Sequence, residues 1–369
     1  MQSDWYRVEN VEEVPSPSLL IYLARVEANL DRMIAIAGDP ARLRPHVKTH
    51  KLAELVALQT ARGITKFKCA TIAEAEMLGQ ARAPDVLLAY QPVGPNVKRF
   101  LALIRAFPFT RFSALVDDPQ AARAVSEAAS AAGLQVELLV DLDIGQHRTG
   151  IPASPGAEAL YRLISSLPGL HAGGLHAYDG HIGDTDLVKR TAACEAAFAP
   201  VERLRIALTQ TGFPVPRLIV GGTPTFPIHA RRSGVELSPG TCVFWDAGYA
   251  TKLPDMDFQP AAVVLTRVVS KPEPTRLCLD LGHKALASEM PQPRAQLIGL
   301  PDAKLVMHSE EHLVVETARA GEFEVGDCFY AIPWHVCPTV ALHSEAWVIE
   351  NGRAARRWRV TARERTLSI

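Results

Sequence analysis

Residues 111–143, RFSALVDDPQAARAVSEAASAAGLQVELLVDLD, hold a short apolar run, an Ala-rich segment and a second apolar run. From Asp118 to Ala132 the apolar side chains recur at three- and four-residue steps, the spacing that gathers them on one face of a helix. The flanking runs, Arg111 to Val116 and Gln135 to Asp143, have the length and composition of strands, so the stretch reads as a βα unit on a parallel sheet.

The same alternation extends from residue 18 onward. Further candidate strands are Arg44 to Lys48, Lys66 to Thr71, Asp85 to Tyr90, His171 to Tyr178, Arg217 to Gly222 and Glu236 to Cys242. Eight strands in series predict a closed (β/α)8 barrel of the TIM type, with a doubly wound open sheet as the other arrangement that alternates this way. After about residue 255 the texture changes. Pro254, Pro260, Pro272 and Pro274 break the helical pattern, and AAVVLTRVVS, RLCLDLG, KLVMHSEEHLVVET and ALHSEAWVIENG alternate as antiparallel strands do. Glu350, Asn351 and Gly352 have the make-up of a hairpin turn. The expected fold is therefore α/β, with a barrel over residues 18–254 and a C-terminal antiparallel β domain over 255–369.

A chain of 369 residues, 48% hydrophobic, can bury one large core and a smaller one. Thirty-nine basic residues against forty acidic ones leave a net charge of -1, and no basic cluster is interleaved with aromatics. A nucleic-acid surface is thereby excluded and a small molecule is the expected partner. Cys69, Cys194, Cys242, Cys278, Cys328 and Cys337 lack paired spacing and read as reduced thiols of a cytoplasmic protein. The start, MQSDWYRVENVEEVPSP, has neither the basic end nor the apolar run of an export signal. No stretch reaches the roughly eighteen apolar residues of a membrane span.

In such a barrel the chemistry collects at the C-terminal ends of the strands. Lys48 ends the first strand in LRPHVKTHK, flanked by His46 and His50, with Arg44 on the same strand face. A lysine at an apolar strand end either snorkels to solvent or is held as an amine that sheds its proton readily, the form that condenses with an aldehyde cofactor. Arg148, after the fifth strand, offers a planar fork to a phenolate oxygen or a carboxylate, or else a rim ion pair with Asp141 or Asp143. Tyr178 and His181 follow the sixth strand. Tyr178 is a candidate cofactor contact, and His181 carries an imidazole suited to take a proton from a hydroxyl, or is a structural histidine. Gly221, Gly222 and Thr223 after the seventh strand, with Gly240 and Thr241 closing the eighth, have the composition of a phosphate cradle or of tight turns. In WHVCPT, His335 and Cys337 stand two apart, on one side of an extended segment, where they can bind one soft divalent ion in an open, incomplete site. The run Ser309 to His312 is a second polar cluster or a solvated turn.

The segments RPHVKTHK, HRTG, HAYDGH, GGTPT, SPGT and WHVCPTV, in this order, resemble the D-threonine aldolase and D-serine dehydratase family, whose members share the alanine-racemase-like fold of type III pyridoxal-phosphate enzymes. The resemblance covers nearly the whole chain. It implies a barrel holding pyridoxal 5'-phosphate, a β domain to which residues 1–17 contribute a strand, and a homodimer with active sites near the interface. It makes Lys48 the Schiff-base lysine, and His335 with Cys337 the pair for a divalent metal, zinc, manganese or magnesium. The implied substrate is a D-amino acid. HAYDGHI and HVCPTVALH resemble the D-threonine aldolase branch, which cleaves D-3-hydroxy amino acids to glycine and an aldehyde. Dehydration of D-serine or D-3-hydroxyaspartate is the alternative. A racemase of this fold would not need the metal pair, and a non-catalytic cofactor carrier would lack the residues after the barrel.

Overall fold

The computed structural model describes residues 4–369. They divide into two compact units: one holds Met33–Lys48, Ala53–Gly240 and Glu364–Ile369, and the other holds the N-terminal residues up to Arg32, Thr49–Leu52 and Thr241–Arg363.

The first of these is the barrel. Strands Lys66–Cys69, Asp85–Leu88, Arg111–Val116, Val136–Asp143, Leu170–Ala177, Leu218–Val220 and Glu236–Leu237 pair in that order, each parallel to the next. Residues 43–46 close the ring, because Leu43 bridges Leu237 and His46 bridges Lys68, both in parallel. The barrel expected from the alternation is observed with seven strands and this bridging segment in place of the expected strand Arg44 to Lys48. The helix of the opening stretch spans Pro119–Ala132, with the Asp118 side chain accepting from the Ala121 N–H and Gly133 ending it at a φ of 65°. Its buried face is Ala122, Val125, Ser126 and Ala129, the three- and four-residue spacing read from the sequence.

Inside the barrel, Leu87, Leu115, Leu139 and Ile219 form one buried layer, each worth about 1.5–3 kcal/mol of burial. At the strand starts lies an ion network instead. Arg44, wholly buried, donates from Nε to Glu236 at 2.6 Å and from Nη1 to Asp85 at 2.7 Å, and Arg217 pairs with Glu137. Arg44, expected on one strand face with Lys48, has its charge engaged in this network instead.

The other unit is built on a mostly antiparallel sheet. One of its inner strands is Ser18–Tyr22, antiparallel to Ala262–Glu273 through the pair Leu20 and Val263, and parallel to Glu345–Glu350 through Leu20 and Trp347. The sequence boundary at residue 18 therefore needs correcting. The contributed strand lies just after residues 1–17, since Leu19, Leu20 and Ile21 are fully buried and need neighbours on both sides. The second boundary moves as well, from 255 to Thr241, so the helix Ala247–Lys252 goes with the β unit. Asn351 and Gly352, at φ 50° and 77°, make the hairpin between Glu345–Glu350 and Arg353–Arg359. Ser309 to His312 is also a hairpin turn, closed by the Ser309 N–H donating to the His312 carbonyl at 2.9 Å. All six cysteines are free. Among the described residues no helix is long and apolar enough to cross a membrane.

Candidate active site

A cavity of about 660 Å³ opens at the mouth of the barrel, lined among others by Lys48, Lys68, Asp141, Arg148, His176 and Tyr178. Lys48 stands on the single turn Val47–Thr49 that follows the closing segment, and its backbone N–H donates to His46 Nδ1 at 3.2 Å. The Lys48 ammonium lies 5.9 Å from the centre of the Tyr178 ring and the Arg148 guanidinium 4.9 Å from it, within reach of the ring's electrons. The rim partners expected for Arg148 are engaged elsewhere. Asp141 accepts from His176 Nδ1 at 2.7 Å and from Thr149 at 2.9 Å. Partial burial works to raise the Asp143 carboxyl, but hydrogen bonds from the His147 and Gly145 backbone and from the His147 ring hold it down to about 2.

Lys68 was not among the residues singled out in the sequence. It is 2% exposed, 3.4 Å from His176 Nε2 and 5.6 Å from the centre of the Tyr178 ring. Burial, and then repulsion by Lys48, push its ammonium down to about 7. The available signal was a lysine in the middle of the short apolar strand KFKC, where its side chain shares the interior face with that of residue 66.

The glycine loops shape the wall. Gly221 has a φ of 76°, and a Cβ on Gly222 would stand 2.9 Å from the Tyr178 ring. Their N–H groups, expected as anion donors, are engaged within the protein: that of Gly221 with the Ala177 carbonyl and that of Gly222 with the Thr225 hydroxyl. Thr223 Oγ1 accepts from the Gly240 N–H at 3.1 Å and ties the two loops together. His181 is exposed, beside Gly145, and does not line the cavity. His50 is buried against Phe244 rather than at the mouth.

Behind the Gly221–Thr225 turn, Asp179, Cys194 and His229 bring three metal-ligating groups within reach of one point. The hydrogen bonding opposes a metal there. Arg232 Nε donates to His229 Nδ1, which leaves the ring proton on Nε2, 2.8 Å from Asp179. A metal-bound imidazole ordinarily has the reverse arrangement, ligating through one nitrogen and donating from the other. Burial also lifts the Cys194 thiol to about 12. Asp179 accepts as well from Thr225 at 2.7 Å, so the group is a buried network that holds the turn.

In the β unit, His335 is the N-cap of the helix Val336–Leu342 and Cys337 lies in its first turn, so this is not the extended segment expected. The two side chains nevertheless hydrogen-bond each other. Cys337 Sγ is 3.2 Å from the Thr49 hydroxyl and 3.7 Å from that of Thr241, and His335 Nδ1 is 2.5 Å from Glu289. Burial works to lower His335, but Cys337, Glu289 and Asp246 outweigh it and raise the imidazole to about 9. Asp246, lifted by burial to about 6, accepts from the Val336 N–H at 3.0 Å and fixes the segment. Glu289 is a third donor that the spacing of His335 and Cys337 did not disclose.

Comparison with known proteins decides the family. The model described as alanine racemase, N-terminal domain, matches residues 21–247, and that described as a putative serine dehydratase domain matches residues 261–349. A D-threonine aldolase of Arthrobacter sp. is 31% identical over 95% of this chain and 93% of its own length. The chain belongs to the D-threonine aldolase and D-serine dehydratase family. Within that family, the crystal structure of D-threonine aldolase from Filomicrobium marinum superposes with a TM-score of 0.88, at 29% identity over 95% of this chain and 96% of that one. A D-threo-3-hydroxyaspartate dehydratase with one cysteine replaced by alanine, solved in a metal-free form, superposes with a TM-score of 0.84, at 25% identity over 94% and 97%. The alanine-racemase-like fold is established by these likenesses, and the chain is an enzyme, a lyase of this family.

Proposed function

We propose that this lyase uses pyridoxal phosphate and a divalent metal to cleave D-3-hydroxy amino acids to glycine and an aldehyde. The reading is carried by a lysine at the mouth of the barrel, in a chain similar along 95% of its length to a D-threonine aldolase.

The cavity fits the cofactor. Lys48 supplies the amine for its aldehyde, Arg148 a planar cation for its ring oxygen or for the substrate carboxylate, and Tyr178 an aromatic wall seated against the missing Cβ of Gly222. Thr223, whose hydroxyl accepts from the Gly240 N–H, is the residue left as a candidate for its phosphate. When bound, the cofactor supplies an electron sink for the pair left on Cα. Lys48 would hold the cofactor by its aldehyde and, as a free amine at the mouth of the cavity, would be placed to take up a proton. His335, Cys337 and Glu289 present imidazole, thiol and carboxylate, a donor set that suits zinc and suits the harder manganese or magnesium less. A metal there would supply Lewis acidity to a substrate hydroxyl. His181, the base first assigned to the hydroxyl proton, gains no support from its exposed position.

Dehydration is the second reading, favoured by the likeness to D-threo-3-hydroxyaspartate dehydratase. Purified protein given D-threonine or D-serine, with and without chelator, separates the two. Glycine and acetaldehyde from D-threonine are expected. The keto acids 2-oxobutanoate or pyruvate as main products would replace the aldolase by a dehydratase, and comparable turnover of L-threonine would end both. The same reading carries a homodimer in the cytoplasm, and light scattering on purified protein measures the first of these.

A further inference from the structure

The floor of the Lys48 cavity carries a second lysine that this chemistry does not use. Asp141 accepts from His176 Nδ1 at 2.7 Å, which places the ring proton on that nitrogen and turns the lone pair of Nε2 toward Lys68, 3.4 Å away. His176 and Lys68 are 4% and 2% exposed, so the tether is dry. It takes one N–H of the ammonium and leaves the others for the cavity that Lys68 lines. A buried cation whose direct partner is a neutral imidazole is poorly balanced, and the depressed titration of Lys68 reflects that. Asp141 and Asp179 favour the charge, and an anion in the cavity would add to them.

We propose that Lys68, held by His176 and Asp141, binds an anionic oxygen of the molecule seated above it, either the ring oxygen of the cofactor or a carboxylate of the substrate. Lys68 is thereby a binding residue, with His176 and Asp141 as its positioning residues. The inference rests on the reading of this cavity as the cofactor site.

The test titrates wild-type and Lys68→Met protein with three probes: pyridoxal phosphate and 3-deoxypyridoxal phosphate on apoprotein, and D-malate on the reconstituted enzyme, each followed by absorbance. A charge-assisted hydrogen bond predicts a loss of roughly tenfold or more in affinity. Weakening for pyridoxal phosphate but not for its deoxy analogue assigns the ring oxygen; weakening for D-malate assigns the carboxylate. Equal affinities of the two proteins for all three probes overturn the proposal while leaving the cofactor site intact. Failure of the wild type to take up pyridoxal phosphate and D-malate removes the cofactor reading, and this inference with it. Thermal unfolding checks that the variant is folded, and Lys68→Gln, polar but uncharged, carries the same comparison should the methionine variant fail to fold.

Discussion

The Lys48 cavity and the His335–Cys337 segment are both chemical centres, and they are assembled in opposite ways. The cavity takes most of its side chains from strand ends and the turns after them between residues 46 and 178, with Arg365 added from the C-terminal segment, and each strand is fixed by its neighbours in the ring. The segment takes His335 and Cys337 from one helix start, and an exposed Glu289 from a loop, and these donors bond one another. A barrel mouth is ordered by its backbone before anything binds. A donor set closed on itself must instead exchange its internal hydrogen bonds and protons for the ion, so its affinity depends on pH and on the third donor.

Breaking each centre in turn should therefore give different signatures. The largest effect is expected at Lys48. Lys48→Ala should lose the pyridoxyl label that borohydride fixes on this residue, as read by peptide mass spectrometry, and lose activity on the order of a thousandfold or more. Its metal content should be unchanged; a label on another lysine would refute the cavity assignment. Next come His335→Ala and Cys337→Ala, which should retain cofactor uptake, release the metal and fall in activity roughly a hundredfold. Full activity of both in metal-free buffer would leave this segment a structural helix cap. Glu289→Gln sharpens the comparison further: metal affinity should drop about 10- to 100-fold, measured by competition with a chromogenic chelator, with cofactor binding untouched.

The smallest effect concerns His50. Burial, with Lys51 repelling, lowers this imidazole to about 3, and its Nδ1 accepts from the Leu52 N–H at 3.1 Å. A histidine depressed in the folded state is protonated first in the unfolded chain. Its neutral form costs no stability above about pH 6.5, and stability is lost as the pH falls from there toward 3. His50→Asn, which keeps an acceptor for Leu52, should flatten the acid side of the unfolding curve by up to about 1.4 kcal/mol per pH unit. An unchanged slope would show that other groups govern acid unfolding.

The strands, Lys48, Arg148 and Tyr178 were legible because period-two and helical patterns, and the positions after each strand, are local properties of the chain. Lys68 was not, because it becomes unusual only through His176 on a strand 108 residues away. His181, expected beside Tyr178, is carried away from it by a local turn. Gly180, where a Cβ would stand 2.2 Å from the Tyr178 hydroxyl, turns the chain, and the histidine that follows it is exposed. The segment WHVCPT reads as a strand by period, yet Val336–Leu342 is helical, with Pro338 tolerated in its first turn. The family resemblance anticipated a strand from the N-terminal end of the chain, but the pairing of Leu20 with Trp347 was needed to show which residues form it.

That strand has a consequence for how the protein is made. Ser18–Tyr22 leaves the ribosome roughly 320 residues ahead of one of the two strands it lies between, Glu345–Glu350. At about 5–20 residues per second, the segment waits on the order of tens of seconds for its parallel neighbour. During that interval Leu19, Leu20 and Ile21 are a nascent apolar strand without their native sheet, the stretch on which a chaperone would act during translation.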